Sequence, residues 1–202
     1  MLALLPTLMR TAHNACFEVL KEEPDVVRLL DAGAIDLALG HYPDAPKRLR
    51  TTPLYDEYCV CVARRGHPDL KDGLTLDRFC ELPHLLIGHE TDPVHIVDAA
   101  LRVKGHRRRI SQQMYSYLAV PYLLEISDLL AVVGHRAAEW FTTSGTLVAY
   151  GLPITVPSWK VSMLWSRRTE ADQALVWLRR LVQDAMAPLR SAACEKDSLP
   201  RL

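Results

Sequence analysis

Apolar residues recur along the chain at two kinds of spacing. A spacing of three and four residues is typical of helices, and a spacing of two is typical of strands. The strongest strand pattern covers residues 55–64, where both alternating sets of side chains are apolar. One set is Tyr58, Val60 and Val62, and the other is Cys59, Cys61 and Ala63. A strand with two apolar faces is predicted to lie inside a sheet that is covered on both sides.

The same patterns predict helices and strands that follow one another along the whole chain. The predicted helices are residues 4–9, 24–32, 76–81, 92–104, 116–126, 136–141 and a long helix after Thr169. The predicted strands are residues 16–20, 35–39, 55–64, 84–87, 108–113, 129–133, 147–150 and 160–166. This alternation favours an α/β fold with a mostly parallel sheet flanked by helices.

Capping residues are expected at two of these helices. Pro24 suits the first turn of the second helix, and Gly33 suits a left-handed residue just after its end. Thr169 is expected to cap the long closing helix, with Asp172 three residues later as a variant of the capping box.

Length and charge limit the classes of function. The 202 residues allow one large domain or two smaller lobes. Lys and Arg together number 24, as do Asp and Glu, so the formal net charge is zero. Because phosphate contacts usually need a basic excess, the chain is not expected to bind DNA unaided.

Scattered cysteines and the lack of a signal peptide or membrane span indicate a cytoplasmic protein with reduced thiols.

No motif of catalysis or metal binding is found in the sequence. Nucleophile-elbow, phosphate-loop, dinucleotide-binding and zinc-protease patterns do not occur, so no catalytic residue, cofactor or metal ion is expected. His89, Glu90, Asp92 and His95 have no standard ligand spacing, and a helix N-terminus accounts better for Asp92. The basic run of residues 104–109 is expected to stay solvated beside a helix C-terminus.

Five segments resemble, in the same order, those of the effector-binding domain of LysR-type bacterial transcription regulators. They are residues 29–40 (LLDAGAIDLALG), 53–68 (PLYDEYCVCVARRGHP), 74–83 (LTLDRFCELP), 127–133 (SDLLAVV) and 161–166 (VSMLWS). The matches run from about Leu5 to Val182. Residues 117–131 further resemble the branch that includes the nodulation regulators and the regulators of aromatic-compound degradation.

The resemblance implies a two-lobed fold like that of the type 2 periplasmic binding proteins, each lobe a mostly parallel sheet flanked by helices. The first lobe would comprise residues 1–66 and 168–202, and the second residues 67–167. Two crossing hinge strands, residues 55–64 and 160–166, would join them. The family also has a strand and a Ser/Thr-containing loop ahead of the first helix here. Because this strand has no counterpart in the sequence, we expect the first lobe to be the less stable one and effector affinity to be poor.

The function implied by the resemblance is the sensing of a small molecule in the cleft between the lobes, which changes the DNA-binding geometry of the full regulator. DNA contact would need a helix-turn-helix domain, and no such pattern precedes Leu5. Homodimers or tetramers would form through the effector domains, and no membrane partner is expected. Two alternatives stay open, a stand-alone solute-binding protein and an enzyme on the same fold.

Candidate effector contacts follow the predicted strands or begin a helix, where ligands of α/β folds collect. They are Gly40, His41, Gly88, His89, Tyr115, Ser116, Tyr117 and His135. His41 could equally be a solvated loop histidine, and Ser116 could be a plain helix cap. This set of aromatic and neutral polar groups predicts a small effector that is aromatic or carries a carboxylate.

Overall fold

The chain is described by a computed structural model over residues 4–12, 15–20, 25–88 and 93–191. It forms two compact units. Unit 1 contains the described residues up to Asp56 and those from Lys160 onward, and unit 2 contains residues 57–159. The chain therefore passes into unit 2 once and returns once.

Unit 1 is a three-stranded sheet with helices on both faces. Its elements are α1 (Leu5–Thr11), α2 (Val26–Ala32), β1 (Ala38–Gly40), β2 (Leu49–Glu57), β8 (Trp159–Ser166) and α7 (Gln173–Ser191). The strand order is β1-β8-β2, and β1 runs antiparallel to β8. The prediction of parallel strands is therefore wrong for this pair. Strand β8 enters the sheet where the chain returns from unit 2, and it is not joined to β1 by a βαβ connection.

Neighbouring residues of β8 build the two cores of unit 1. Met163 is fully buried against α1 and α7, where Leu8 and Val182 belong to the same cluster. Leu164 is fully buried on the other face with Leu30 of α2. Because successive side chains of a strand point to opposite faces, two adjacent apolar residues fill both layers.

Two predictions for unit 1 are wrong. Residues 16–20 form no strand, and Val19 and Leu20 are exposed, because no neighbouring strand pairs with this segment in the described part of the chain. Thr169 does not cap α7. Its hydroxyl donates to the Ser166 carbonyl, whereas the Asp172 carboxylate accepts the Leu175 N–H at 3.0 Å and is the cap. The left-handed Gly33 after α2 is confirmed, with φ of 72°.

Unit 2 contains a five-stranded sheet with helices on both faces. Its elements are β3 (Cys59–Arg64), α3 (Leu76–Glu81), β4 (Pro83–Ile87), α4 (Ile96–Val103), β5 (Arg109–Met114), α5 (Val120–Glu125), β6 (Leu130–Gly134), α6 (His135–Phe141) and β7 (Leu147–Tyr150). The strand order is β5-β4-β6-β3-β7. Strand β4 is parallel to β5 and β6, while β3 is antiparallel to both β6 and β7. Every strand except β3 thus runs in one direction, as the alternation predicts for a mostly parallel sheet.

Strand β3 has the two apolar faces that its sequence predicts. Cys59, Cys61 and Ala63 lie in one core cluster, and Val60 and Val62 lie in the other. The strand is shorter than predicted, because residues 49–64 divide at Tyr58 into β2 and β3, which belong to different sheets. Burial raises the pKa of the Cys59 and Cys61 thiols to about 12, and the neighbouring Glu57 charge adds to the effect on Cys59.

The basic run after α4 is only partly solvated. Lys104, His106 and Arg107 are exposed, as expected. Arg108 is instead buried, and its guanidinium donates two hydrogen bonds of 2.7 Å to the Asp98 carboxylate. The prediction of a wholly solvated run is therefore wrong at this position. Among the described residues no helix is long and apolar enough to cross a bilayer.

Candidate functional site

The carboxyl ends of three parallel strands bring most of the predicted contacts of unit 2 to one edge of its sheet. Gly88 follows β4, Tyr115 follows β5, and Gly134 ends β6. Because these strands are adjacent and parallel, their ends meet at the edge where ligands of α/β folds bind. We call this edge, with Gly88, Tyr115 and Gly134 as its markers, the carboxyl edge of unit 2.

Gly88 and Tyr115 are joined at this edge by a residue that the sequence did not single out. The Gly88 N–H donates to the Met114 carbonyl at 2.9 Å, with Gly88 in the left-handed region at φ 82°. The Gln113 amide nitrogen lies 3.4 Å from both the Gly88 carbonyl oxygen and the Tyr115 hydroxyl. Gln113 thus links the Tyr115 hydroxyl to the end of β4.

Residues 115–117 lead from β5 toward α5. The side chains of Tyr115, Ser116 and Tyr117 are all exposed. Ser116 occupies the cap position before the short helical turn of residues 117–119 and has the extended backbone of a cap residue, but its hydroxyl makes no capping hydrogen bond. The segment offers two phenol rings and a hydroxyl to solvent on one side of the carboxyl edge.

His135 is the first residue of α6 and lies against an aromatic ring from the start of β3. Its ring stacks on that of Tyr58, with centroids 4.5 Å apart and planes 20° apart. Its backbone N–H donates to the Tyr58 carbonyl at 2.8 Å. The register supports this contact, since Cys59 of β3 is opposite Gly134 of β6.

A buried carboxylate stands beside this ring pair. Glu57 is only 6% exposed, and its oxygens accept the Tyr58 N–H at 3.0 Å and the Arg136 N–H at 3.4 Å. Burial raises the pKa of Glu57, and the amide hydrogen bonds and the Arg136 charge oppose that rise. Our sequence reasoning missed this residue. The available signal was an acidic side chain placed directly before a strand with two apolar faces.

The predicted contacts of unit 1 lie at the end of β1. His41 is exposed, and its ring Nδ1 lies 3.1 Å from the Lys160 carbonyl oxygen. Gly40 is opposite Ser162 of β8. Lys160 also forms an ion pair of 2.8 Å with Asp56. Asp56 and Lys160 line an open depression of about 190 Å³ together with residues 53–55, and the sequence reasoning named neither of them.

The remaining candidate, His89, lies outside the described residues, as do Glu90 and Asp92. Within the part of the chain that the structure describes, no three His, Cys, Asp or Glu side chains come together as a metal site would require.

Two α/β units, each with polar groups beyond its strand ends, define the class of two-lobed binding domains with the periplasmic-binding-protein fold. The family is also clear, because residues 1–187 match the LysR substrate binding domain. The chain belongs to this family, and the resemblance in the sequence is confirmed.

The curated relatives are transcription regulators. The chain is 29% identical over 182 residues to the HTH-type transcriptional activator NahR of Pseudomonas putida, covering 90% of this chain and 61% of NahR. It is 28% identical to nodulation protein D 2 of Sinorhizobium fredii, covering 89% and 58% of the two chains. The chain thus spans about three fifths of these relatives, and its similarity to the nodulation regulators is confirmed.

Solved structures confirm the fold. The regulatory domain of MexT, a transcriptional activator in Pseudomonas aeruginosa, matches with a TM-score of 0.75 at 24% identity over 91% of each chain. The regulatory domain of HypT from Salmonella typhimurium matches with a TM-score of 0.72 at 15% identity over 93% of this chain and 91% of that one. These likenesses show a shared architecture.

Proposed function

We propose that this chain is the effector-sensing part of a cytoplasmic LysR-type transcription regulator. The observation that carries the proposal is the group of aromatic and hydrogen-bonding side chains at the carboxyl edge of unit 2, in a chain of this family. DNA would be contacted by another domain of the full regulator. The chain's own activity would be reversible binding without turnover, in keeping with relatives that are regulators.

We further propose that the effector is a small aromatic carboxylic acid. Tyr115, Tyr117 and the stacked pair of Tyr58 and His135 supply rings and polar ring atoms at one edge. Rings suit an aromatic ligand because offset or edge contacts add to the burial of apolar surface. The hydroxyl groups of residues 115–117 at the same edge are hydrogen-bond donors for the carboxylate.

A thermal-shift panel tests the ligand class. Aromatic carboxylic acids are expected to raise the unfolding midpoint, because a ligand at a hundred times its Kd stabilises the native state by about 2.7 kcal/mol. Sugars and aliphatic diacids are expected to have no effect. The His135→Ala variant should lose the response, whereas His106→Ala, a change at an exposed histidine of the same unit, should keep it. Stabilisation by sugars or aliphatic diacids alone would contradict the proposed ligand class.

We also propose that the chain forms homodimers or tetramers through a surface that includes the segment of α5. Three large apolar side chains are exposed there, Leu118 by 69%, Tyr122 by 72% and Ile126 by 82%. Strand β5 lies beside β4 at one end of the sheet order, so its outer edge is available for pairing. Contiguous apolar surface of this kind is typical of a protein interface. The first-lobe helix α2 is the other proposed part of this surface.

Light scattering at high protein concentration tests the assembly. The wild-type chain is expected to be dimeric or larger, and the Ile126→Asp variant is expected to be monomeric because a charge would then be buried at the interface. Val103→Asp is the matched control, since Val103 is 89% exposed and lies on a different helix of unit 2. A monomeric wild-type chain, or equal masses for all three proteins, would argue against this surface.

A further inference from the structure

One buried side chain holds two separate segments at the carboxyl edge of unit 2. The Glu57 carboxylate accepts the Tyr58 N–H through one oxygen and the Arg136 N–H through the other. Tyr58 leads into β3, whereas Arg136 lies in the first turn of α6, 79 residues after Glu57. Glu57 therefore adds to the direct hydrogen bond from the His135 N–H to the Tyr58 carbonyl in joining the start of β3 to the start of α6.

Gly134 shows how closely the two segments approach. Its φ of −64° and ψ of 146° are open to any residue, so its backbone conformation does not call for glycine. A Cβ at this position would lie 3.1 Å from both Cδ and Oε2 of Glu57. A larger residue would have to displace the buried carboxylate, so the missing side chain at Gly134 makes room for Glu57.

The stacked rings of Tyr58 and His135 belong to the two segments that the Glu57 carboxylate joins by its hydrogen bonds. Tyr58 follows Glu57 in sequence, and His135 lies between Gly134 and Arg136. The carboxylate thus bonds the backbone N–H of Tyr58 itself and that of Arg136, the residue after His135. Between these two bonds the rings stack with their planes 20° apart.

We propose that Glu57 is the positioning residue of the effector site in unit 2, acting through Gly134 and Arg136 to hold His135 against Tyr58. This rests on the proposed function only for its effect on effector binding. The arrangement of the rings is a property of the chain alone. Glu57 touches no ligand in this role, since its side chain is buried. Removing it should loosen the ring pair without removing any group that meets the effector.

The His135 ring proton resonances of the ligand-free chain, assigned with a His135→Gln variant, give the direct test. In Glu57→Ala we expect them to move toward those of the exposed His41, because the stacking on Tyr58 is lost. Glu57→Gln keeps one acceptor oxygen and should lie between wild type and Glu57→Ala. Glu139→Ala is the matched control, since it removes an exposed carboxylate that pairs with the Arg136 guanidinium at 3.0 Å, and it should leave the resonances unchanged. Unchanged resonances in a folded Glu57→Ala chain would overturn the proposal.

A second pair of variants tests the contact with Gly134. Gly134→Ala should shift the His135 resonances in the wild-type chain and should add no further shift when Glu57 is alanine. If Glu57→Ala does not fold, Gly134→Ala and Glu57→Gln provide the test. Unchanged His135 ring resonances in Gly134→Ala would then refute the proposal.

Where an aromatic acid binds the wild-type chain, Glu57→Ala should raise the Kd of that acid about tenfold, which is a loss of about 1.4 kcal/mol of binding free energy. Failure of every acid to bind would contradict the ligand class, while the resonances would still decide the role of Glu57.

Discussion

Replacing Asp98 by alanine is expected to lower the free energy of unfolding of unit 2 by about 3 kcal/mol, because it leaves a buried guanidinium without its partner. The Arg108 side chain is only 2% exposed, and both of its hydrogen bonds to Asp98 are 2.7 Å long. Burial by itself would raise the pKa of Asp98, but the hydrogen bonds and charge of Arg108 outweigh it, so the pKa is lowered. The ionised carboxylate is thus the form that the folded unit holds.

Hydrogen exchange of the amides of β4 and β6 measures this loss, because these central strands exchange only when unit 2 unfolds. Asp128→Ala is the control, since its ion pair with Arg64 is half exposed and is worth less than about 1 kcal/mol. Equal protection in the two variants would contradict the prediction. Replacing Asp98 and Arg108 together by apolar residues of similar volume should restore most of the stability, because no unpaired charge is then buried.

The stability of unit 2 is also expected to fall by about 3 kcal/mol between pH 6.5 and pH 4 through His84 alone. This histidine is fully buried at the start of β4, packs edge-on against the Phe79 ring, and donates from Nε2 to the Phe79 carbonyl at 2.7 Å. Burial lowers the pKa of His84 from 6.5 to about 4. The hydrogen bond to Phe79 opposes the shift, and the Arg108 charge adds to it.

The direction of the effect follows from which state binds the proton first. Above pH 6.5 the ring is neutral in both the folded and the unfolded chain, so the full stability is present. As the pH falls below 6.5 the unfolded chain takes up a proton that the folded chain takes up only near pH 4, and stability is lost across that window.

Urea unfolding of the wild type and of His84→Gln at several pH values isolates this contribution. The glutamine variant loses the titrating group, so the stability difference between the two proteins should shrink by about 3 kcal/mol from pH 7 to pH 4. His106→Gln, a substitution at an exposed histidine of the same unit, should follow the wild-type curve. Parallel curves for wild type and His84→Gln would rule out a buried neutral His84.

Much of unit 2 could be predicted from local pattern. The bounds of α3 and β7 agree with the sequence prediction, and the two sets of apolar side chains on β3 separate into two core clusters as expected. The spacing of apolar residues and the identity of capping residues depend on a few consecutive positions, so both can be recognised from the sequence before the fold is known. The parallel order of β4, β5 and β6 then brings Gly88, Tyr115 and His135 to one edge.

Two of the residues that sequence reasoning missed have partners far along the chain. Glu57 accepts a hydrogen bond from an amide 79 residues away, and the Lys160 ammonium group donates to the Asp56 carboxylate 104 residues away. The strand with two apolar faces beside Glu57 is a local signal, but the adjacent residues do not show which distant amide its carboxylate accepts. The partner of Arg108 is only 10 residues away, on α4, and the basic run around Arg108 hides that pairing in the sequence.

By itself the sequence determined the family, the alternation of helices and strands, and the strand ends at which polar groups collect, because these depend on the order and periodicity of nearby residues. Tertiary structure alone decided that residues 16–20 form no strand despite their apolar pattern, since a strand needs a neighbour for its hydrogen bonds. It also decided that Arg108 and Glu57 are buried. A charged side chain can be buried only where other elements of the fold supply its counter-charge or its hydrogen-bond partners, and only the folded chain brings those elements together.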